Sequence, residues 1–288
     1  MAATKVRIEL KKFNMASIKD NSVVQFLGRR GTGKSYLVRN LCYHQRGIPC
    51  GTVISATESS NEFFGKFVPS IFIFDAYSPD ILDRFVKRQQ MIVKAYNKEI
   101  KESGRSTIDP RAICILDDCL YDAHTWTNDT NIKYLFLNGR HIYVLFVLTS
   151  QYPLGLPPIF RSNIDYNFLL RESNKSNRRR LHEHYAGVIP TFEMFESILD
   201  SCTENNECLV VANSAQSNKI DNILYWYKAP ADQPNFRMGA QQFWDIQAQV
   251  DAEGGDDEDE KYDPDRDTLL LAKRKNNQPV LNIRKRQY

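Results

Sequence analysis

With 288 residues, 42% of them hydrophobic and 25% charged, the chain has room for one large α/β domain and an appendage, and its composition excludes a fibrous or wholly low-complexity protein. The longest apolar stretch, residues 142–148, is far short of the ~20 residues a bilayer span requires, so no transmembrane segment is expected. The net charge of +3 is uneven: nine Lys/Arg against twelve Asp/Glu from Pro230 onward leave +6 on residues 1–229, which is compatible with a polyanionic partner.

In chain order, apolar runs alternate with helical patterns, the signature of a mostly parallel sheet with helices on its faces. Residues 23–27 (VVQFL) read as a buried strand leading into glycines, and residues 35–44 as the helix that follows. Strands are expected at 52–55 and 71–74 (IFIF), then a long helix over 81–100 and a polar turn at 103–110. Residues 112–116 (AICIL) predict a further strand, 131–138 a short helix, and 142–148 (IYVLFVL) the strongest strand of the chain. Strands at 166–170, 207–211 and 223–227 follow, with helices over 177–185 and 191–201. Composition changes after Ala229. An acidic block at 251–260 (DAEGGDDEDE) and basic clusters at 273–275 and 284–286 cannot bury enough apolar surface to fold alone. The expected organisation is therefore one α/β domain over 1–229 and a tail over 230–288, disordered in part or ordered by a partner.

Six cysteines form no CxxC pair, and no histidine stands at zinc-ligand spacing, so free thiols in a reducing compartment are expected.

Three segments carry chemistry. The first, G-R-R-G-T-G-K-S from Gly28 to Ser35, fits G-x-x-x-x-G-K-[ST] and stands between a predicted strand and a predicted helix. Its glycines let backbone N–H groups wrap phosphate, Lys34 reaches the β- and γ-phosphates, and the Ser35 hydroxyl ligates Mg²⁺. The nucleotide-binding set is Gly28, Arg29, Arg30, Gly31, Thr32, Gly33, Lys34, Ser35 and Tyr36, with ATP and Mg²⁺ as cofactors. The second segment is ICILDDC, in which apolar strand residues end in two acids. Asp117 is placed to hold the Mg²⁺ that Ser35 also touches, and Asp118 to orient or deprotonate the attacking water. The third is Thr149-Ser150-Gln151 at the end of the next strong strand, where a polar side chain senses the γ-phosphate. Arg140 and Arg161 are both candidates for a finger reaching a neighbouring subunit's phosphate, against the plainer reading of a surface arginine. Arg178, Arg179 and Arg180 are candidates for nucleic-acid phosphates or for a solvated helix face.

These residues together resemble the DNA-packaging ATPase of nucleocytoplasmic large DNA viruses, the poxvirus-type packaging ATPase within the FtsK–HerA superfamily. The resemblance extends to Ala56-Thr57-Glu58, Arg88-Gln89, Gly139-Arg140-His141 and Arg161-Ser162-Asn163, covers roughly residues 22–170, and weakens towards Tyr227. It implies a RecA-like ASCE P-loop fold in which an extra strand separates the Walker A and Walker B strands. It further implies a homo-oligomeric ring, pentamer or hexamer, that uses ATP hydrolysis to drive double-stranded DNA into a capsid. Gln151 matches the superfamily's sensor glutamine, and Lys34, Ser35, Asp117 and Asp118 match the nucleotide, Mg²⁺ and catalytic-acid positions. A capsid vertex or virion membrane protein as docking partner, and a location in the virion and host cytoplasm, also come from the resemblance. Two other readings exist for a P-loop chain. A nucleoside or nucleotide kinase generally lacks the acid pair and the sensor strand, and a non-hydrolysing assembly protein would not need them.

Overall fold

A computed structural model of the chain describes residues 9–119 and 123–253. Its strands are β1 (Lys11–Lys12), β2 (Val23–Leu27), β3 (Gly51–Ser55), β4 (Ile73–Phe74), β5 (Ala112–Asp117), β6 (Val144–Ser150), β7 (Tyr166–Leu169), β8 (Cys208–Ala212) and β9 (Leu224–Tyr227). They form one sheet in the order β1-β9-β8-β7-β2-β6-β5-β3-β4. From β7 to β4 every pairing is parallel, whereas β8 runs antiparallel to both β7 and β9. β6 lies between β2 and β5, so the strand ending in the sensor segment separates the other two site-bearing strands, as the resemblance implies. This is a RecA-like P-loop NTPase fold.

Both faces of the sheet are covered, which is why β2, β3, β5 and β6 are buried at every position and read as continuous apolar runs. The helices are α1 (Lys34–His44), α2 (Glu58–Asn61), α3 (Pro79–Ser103), α4 (Ala123–Asn128), α5 (Thr130–Asn138), α6 (Pro158–Arg161), α7 (Lys175–Tyr185), α8 (Phe192–Cys202), α9 (Ile220–Ile223) and α10 (Gln241–Glu253). On one face Val23, Leu116, Phe146 and Leu169 pack with Leu82 and Phe85 of α3, Phe136 of α5, Leu181 of α7 and Phe195 of α8. On the other, Val24, Phe26, Ile115 and Val147 pack with Leu37, Val38 and Leu41 of α1 and with Phe64, Phe67 and Phe72. The six cysteines are free thiols, five of them buried.

Three expectations are revised. Half of 71–74 belongs to a 3-10 turn, Ser70–Phe72, which leaves only the two residues of β4 in the sheet. The strongest strand starts at Val144 rather than 142, because Tyr143 takes a left-handed conformation (φ 55°) that closes the turn Gly139–Ile142. The compact unit also continues past Ala229 to Trp244, and the described residues 245–253 fall in a second unit. The apolar residues scattered through 230–244 account for the first part of that difference. Met238 is buried and donates its N–H to the Phe67 carbonyl (2.8 Å), and Phe236 packs on Phe67 with ring centroids 5.0 Å apart. Gly239 (φ 82°) turns the chain against Pro69 where a Cβ would be crowded. Residues 251–253 of the acidic block lie in α10, and the basic clusters at 273–275 and 284–286 lie outside the described residues.

Gln89 explains part of the Arg88-Gln89 segment. Wholly buried on α3, it donates from Nε2 to the carbonyls of Pro110 and Ile142 (2.8 Å to the latter), joining the lead-ins of β5 and β6. Gln89→Leu leaves both acceptors unpaired in the interior. A loss of about 2–6 kcal/mol is expected, from ~1–3 kcal/mol for each of the two orphaned groups, and urea denaturation measures it.

A candidate nucleotide site at the strand ends

β2 ends at Leu27 and the chain then makes the loop Gly28–Gly33 before α1 begins at Lys34. Only glycine fits at two of these positions. A Cβ on Gly28 would lie 2.6 Å from the Leu170 side chain and 2.8 Å from Thr32 Oγ1, and Gly33 has φ 99° at the helix N-cap. The Gly28 N–H donates to the Ser150 carbonyl (3.0 Å), which fixes the loop to the end of β6. Ser35 and Tyr36 are exposed on the first turn of α1, where unpaired N–H groups and the helix dipole favour an anion.

Lys34 is buried. Its Nζ donates to the carbonyls of Gly28 (2.8 Å) and Arg29 (3.3 Å) and lies 4.0 Å from Asp118 Oδ2. Burial pushes its pKa down, and the charges of Asp118 and Asp117 work against that shift. Arg29 turns away from the loop: its Nη1 donates to Ser173 Oγ (3.0 Å) and lies 4.0 Å from Glu172. Arg30 and Gly31 are exposed, with no side-chain bond described for Arg30.

Asp117, the last residue of β5, is buried and accepts at both oxygens, from Thr149 Oγ1 (2.8 Å) and Ser55 Oγ (3.1 Å). Burial raises its pKa. The Thr149 bond opposes this, the Asp118 charge adds to it, and Ser55 and Lys34 oppose it. Asp118 leaves the strand in a left-handed conformation (φ 48°), which Asp tolerates better than most residues. Its N–H donates to Thr149 Oγ1 (2.9 Å), and its Oδ2 accepts from Gln151 Nε2 (3.0 Å). One threonine hydroxyl thus bridges both acids, while Gln151 orients the second. Ser150 is fixed from β2 by Gln25 Nε2 (2.8 Å).

Lys34, Asp117, Asp118 and Gln151 therefore form one cluster. Thr149 and Ser55 belong to it with roles that the sequence did not assign, because a hydroxyl at a strand end is common and its bond depends on the facing strand. Replacing Thr149 with Val removes a donor to Asp117 and an acceptor for the Asp118 N–H. A fall in turnover of about 10–100-fold is expected, from ~1.5–3 kcal/mol for bonds to charged groups, and phosphate release measures it.

The two arginines are elsewhere. Arg140 stands in the turn leading into β6, at the opposite end from Ser150 and so roughly 20 Å away at ~3.3 Å per strand residue. Arg161 closes α6, four residues before Asp165, whose carboxylate accepts from Val23 N–H at the start of β2, and its Nη1 donates to the Leu156 carbonyl (2.8 Å). Within one chain neither joins the cluster. The Arg178–Arg180 run divides. Arg178 pairs with Asp200 (2.6 Å) and Glu196 (3.8 Å) of α8, Arg179 lies over Phe192, and Arg180 donates to Tyr152 Oη (2.8 Å). Glu58 of the Ala56-Thr57-Glu58 segment accepts the N–H groups of Phe64 (2.9 Å) and Gly65 (2.7 Å), a structural task.

No protein-family model matches the chain. An uncharacterised protein of Acanthamoeba polyphaga mimivirus is 36% identical over 279 residues, which cover 96% of this chain and 97% of that protein. The chain belongs to a family of nucleocytoplasmic large DNA virus proteins that includes the mimivirus one. Further family members include uncharacterised proteins of Invertebrate iridescent virus 6, 36% identical over 77% of this chain and 83% of the relative, and of Invertebrate iridescent virus 3, 38% identical over 73% and 76%. In fold the family member is similar to the genome packaging NTPase of Sulfolobus turreted icosahedral virus 2, solved in complex with AMP. That match has a TM-score of 0.51 and 15% identity, covering 74% of this chain and all of the other.

The donor set suits Mg²⁺. The Ser35 hydroxyl and the Asp117 carboxylate are hard oxygen ligands, and no group of three or more His, Cys, Asp or Glu forms a metal cage among the described residues. One hydroxyl and one carboxylate would leave the remaining positions of such an ion to nucleotide phosphates and water. Among the described residues no helix is long and apolar enough to cross a membrane.

Proposed function

We propose that the chain is an ATPase that couples hydrolysis to the movement of double-stranded DNA into a viral capsid. One observation carries the reading: Thr149 ties Asp117 to Asp118 while Asp118 faces both Lys34 and Gln151. A phosphate-binding loop alone would serve a kinase or an assembly protein equally well. A second acid, held by a glutamine 3.0 Å away just past the end of the strand between, suits activation of water. Lys34 and the loop N–H groups hold the β- and γ-phosphates. Ser35 and Asp117 would hold Mg²⁺, which would neutralise charge developing on the phosphates. Asp118 takes the proton of the attacking water, and Gln151 keeps its carboxylate aimed at that water and registers the γ-phosphate.

Among the described residues no arginine side chain bonds to the cluster, which is compatible with a ring in which a neighbour supplies Arg140 or Arg161. Family membership supports genome packaging as the task, with action in the virion and host cytoplasm and attachment to a capsid vertex or virion membrane protein. The deciding experiment is the ATPase rate with and without duplex DNA, beside the mass of the complex in solution. Phosphate release that rises with duplex, from a pentameric or hexameric species, is expected. Transfer of phosphate to a nucleoside would establish the kinase instead, and DNA-indifferent turnover with no motion along duplex would point to an assembly role.

A further inference from the structure

Away from the nucleotide cluster, a cavity of about 560 Å³ is lined by Arg39, Lys66, Phe67, Asn235, Phe236 and Arg237. It is formed by α1, the 3-10 turn Phe64–Lys66 and the segment that follows the sheet. Three of its six lining residues are cations, and none is a carboxylate. Some basic side chains elsewhere are matched by acids, as Arg111 is by Asp109 (2.6 Å) and Arg178 by Asp200 (2.6 Å). Among the described residues Arg39, Lys66 and Arg237 have no such ion pair.

Two of the three are held in place. Arg39 donates to the Pro234 carbonyl (3.0 Å) and to Gln233 (3.3 Å), with its guanidinium 5.5 Å from the Phe236 ring centroid. Arg237 lies 4.7 Å over the Trp244 ring. Stacking of this kind orients a guanidinium while leaving N–H donors for an anion.

We propose that this cavity is a phosphodiester-binding subsite, where the backbone of duplex DNA is gripped without its sequence being read. Charge decides the ligand class: an uncharged base gains little from three unpaired cations, whereas successive backbone phosphates each gain a charge-assisted partner. The cavity is also mechanically tied to the nucleotide. Arg39 follows Lys34 by five residues on α1, about 7.5 Å along the axis at ~1.5 Å per residue, and Gln233 Nε2 donates to the Tyr36 carbonyl (3.1 Å). A change at the phosphate loop that moves α1 therefore moves one wall of the subsite. The site depends on the DNA reading proposed above.

The test compares the full chain with Lys66→Glu/Arg237→Glu. A control, Lys94→Glu/Lys101→Glu, makes the same charge change at exposed positions on α3. Fluorescence anisotropy with a short labelled duplex is read across a salt series, alongside titration of a non-hydrolysable ATP analogue. The double variant is expected to lose about tenfold or more in duplex affinity. Its slope of log affinity against log salt should become shallower by about 2, because each phosphate contact contributes ~0.9. Analogue affinity and the control should stay close to wild type. A wild-type slope in the double variant, or an equal loss in the control, overturns the subsite. Loss of analogue affinity with duplex binding intact would instead assign the cavity to the nucleotide. If the unaltered chain fails to bind duplex at any salt, the DNA reading itself falls and the subsite with it.

Discussion

Lys34→Ala is expected to lower the affinity for a non-hydrolysable ATP analogue at least about 100-fold and to bring turnover below detection. The side chain supplies charge-assisted bonds to two phosphates at ~1.5–3 kcal/mol each, and ~1.4 kcal/mol corresponds to a factor of ten. No nearby cation substitutes for it. Arg29 is drawn off by Ser173 and Glu172, and Arg30 points into solvent. The fold should survive, because the Lys34 bonds end on carbonyls of the loop that its own backbone continues, and water replaces it at the exposed Arg29. Isothermal titration with circular dichroism on the same sample checks both halves. Near-normal analogue binding by a folded variant would mean that the loop is not the nucleotide site.

Asp118→Asn separates binding from chemistry. Asparagine also tolerates the left-handed backbone that Asp118 adopts (φ 48°), and its carbonyl oxygen still accepts from Gln151, so the geometry of the site is retained. What is lost is the ability to accept a proton, together with the charge that faces Lys34 at 4.0 Å. Analogue affinity is expected within about threefold of wild type, while phosphate release falls by ~10²–10⁴, the range for removing a general base. Turnover within about tenfold of wild type would remove Asp118 from that role.

The lysine, the two acids and the sensor were legible as separate residues, because each is marked by its immediate neighbours. Glycines before a helix, or four apolar residues ending in acids, are local patterns. Thr149 shows where local pattern stops being enough. Its hydroxyl matters only because β6 lies beside β5, which places it against Asp117 and Asp118. Glu58 and Gln89 were visible as part of the family pattern, yet their partners, the N–H groups of Phe64 and Gly65 and the carbonyls of Pro110 and Ile142, are set by how loops fold back on them. Arg178 looked like a candidate for phosphate contact until α8 placed Asp200 and Glu196 beside it. The segment after Ala229 was read by composition as a tail, because Phe236, Met238 and Phe243 are too few and too scattered to show a period. Met238 is buried, and Phe236 and Phe243 partly so, by surface that α1 and residues 64–72 supply.

By itself the sequence determined that a phosphate loop joins a buried strand to a helix and that an acid pair ends a second buried strand. Both follow from short-range sterics and from apolar periodicity. The tertiary structure decided which strand lies between them, which hydroxyl joins the two acids, and that neither candidate arginine reaches its own chain's site. Those outcomes depend on the pairing of segments more than 30 residues apart (Asp117 with Thr149, Gln25 with Ser150), and no local propensity encodes such pairing.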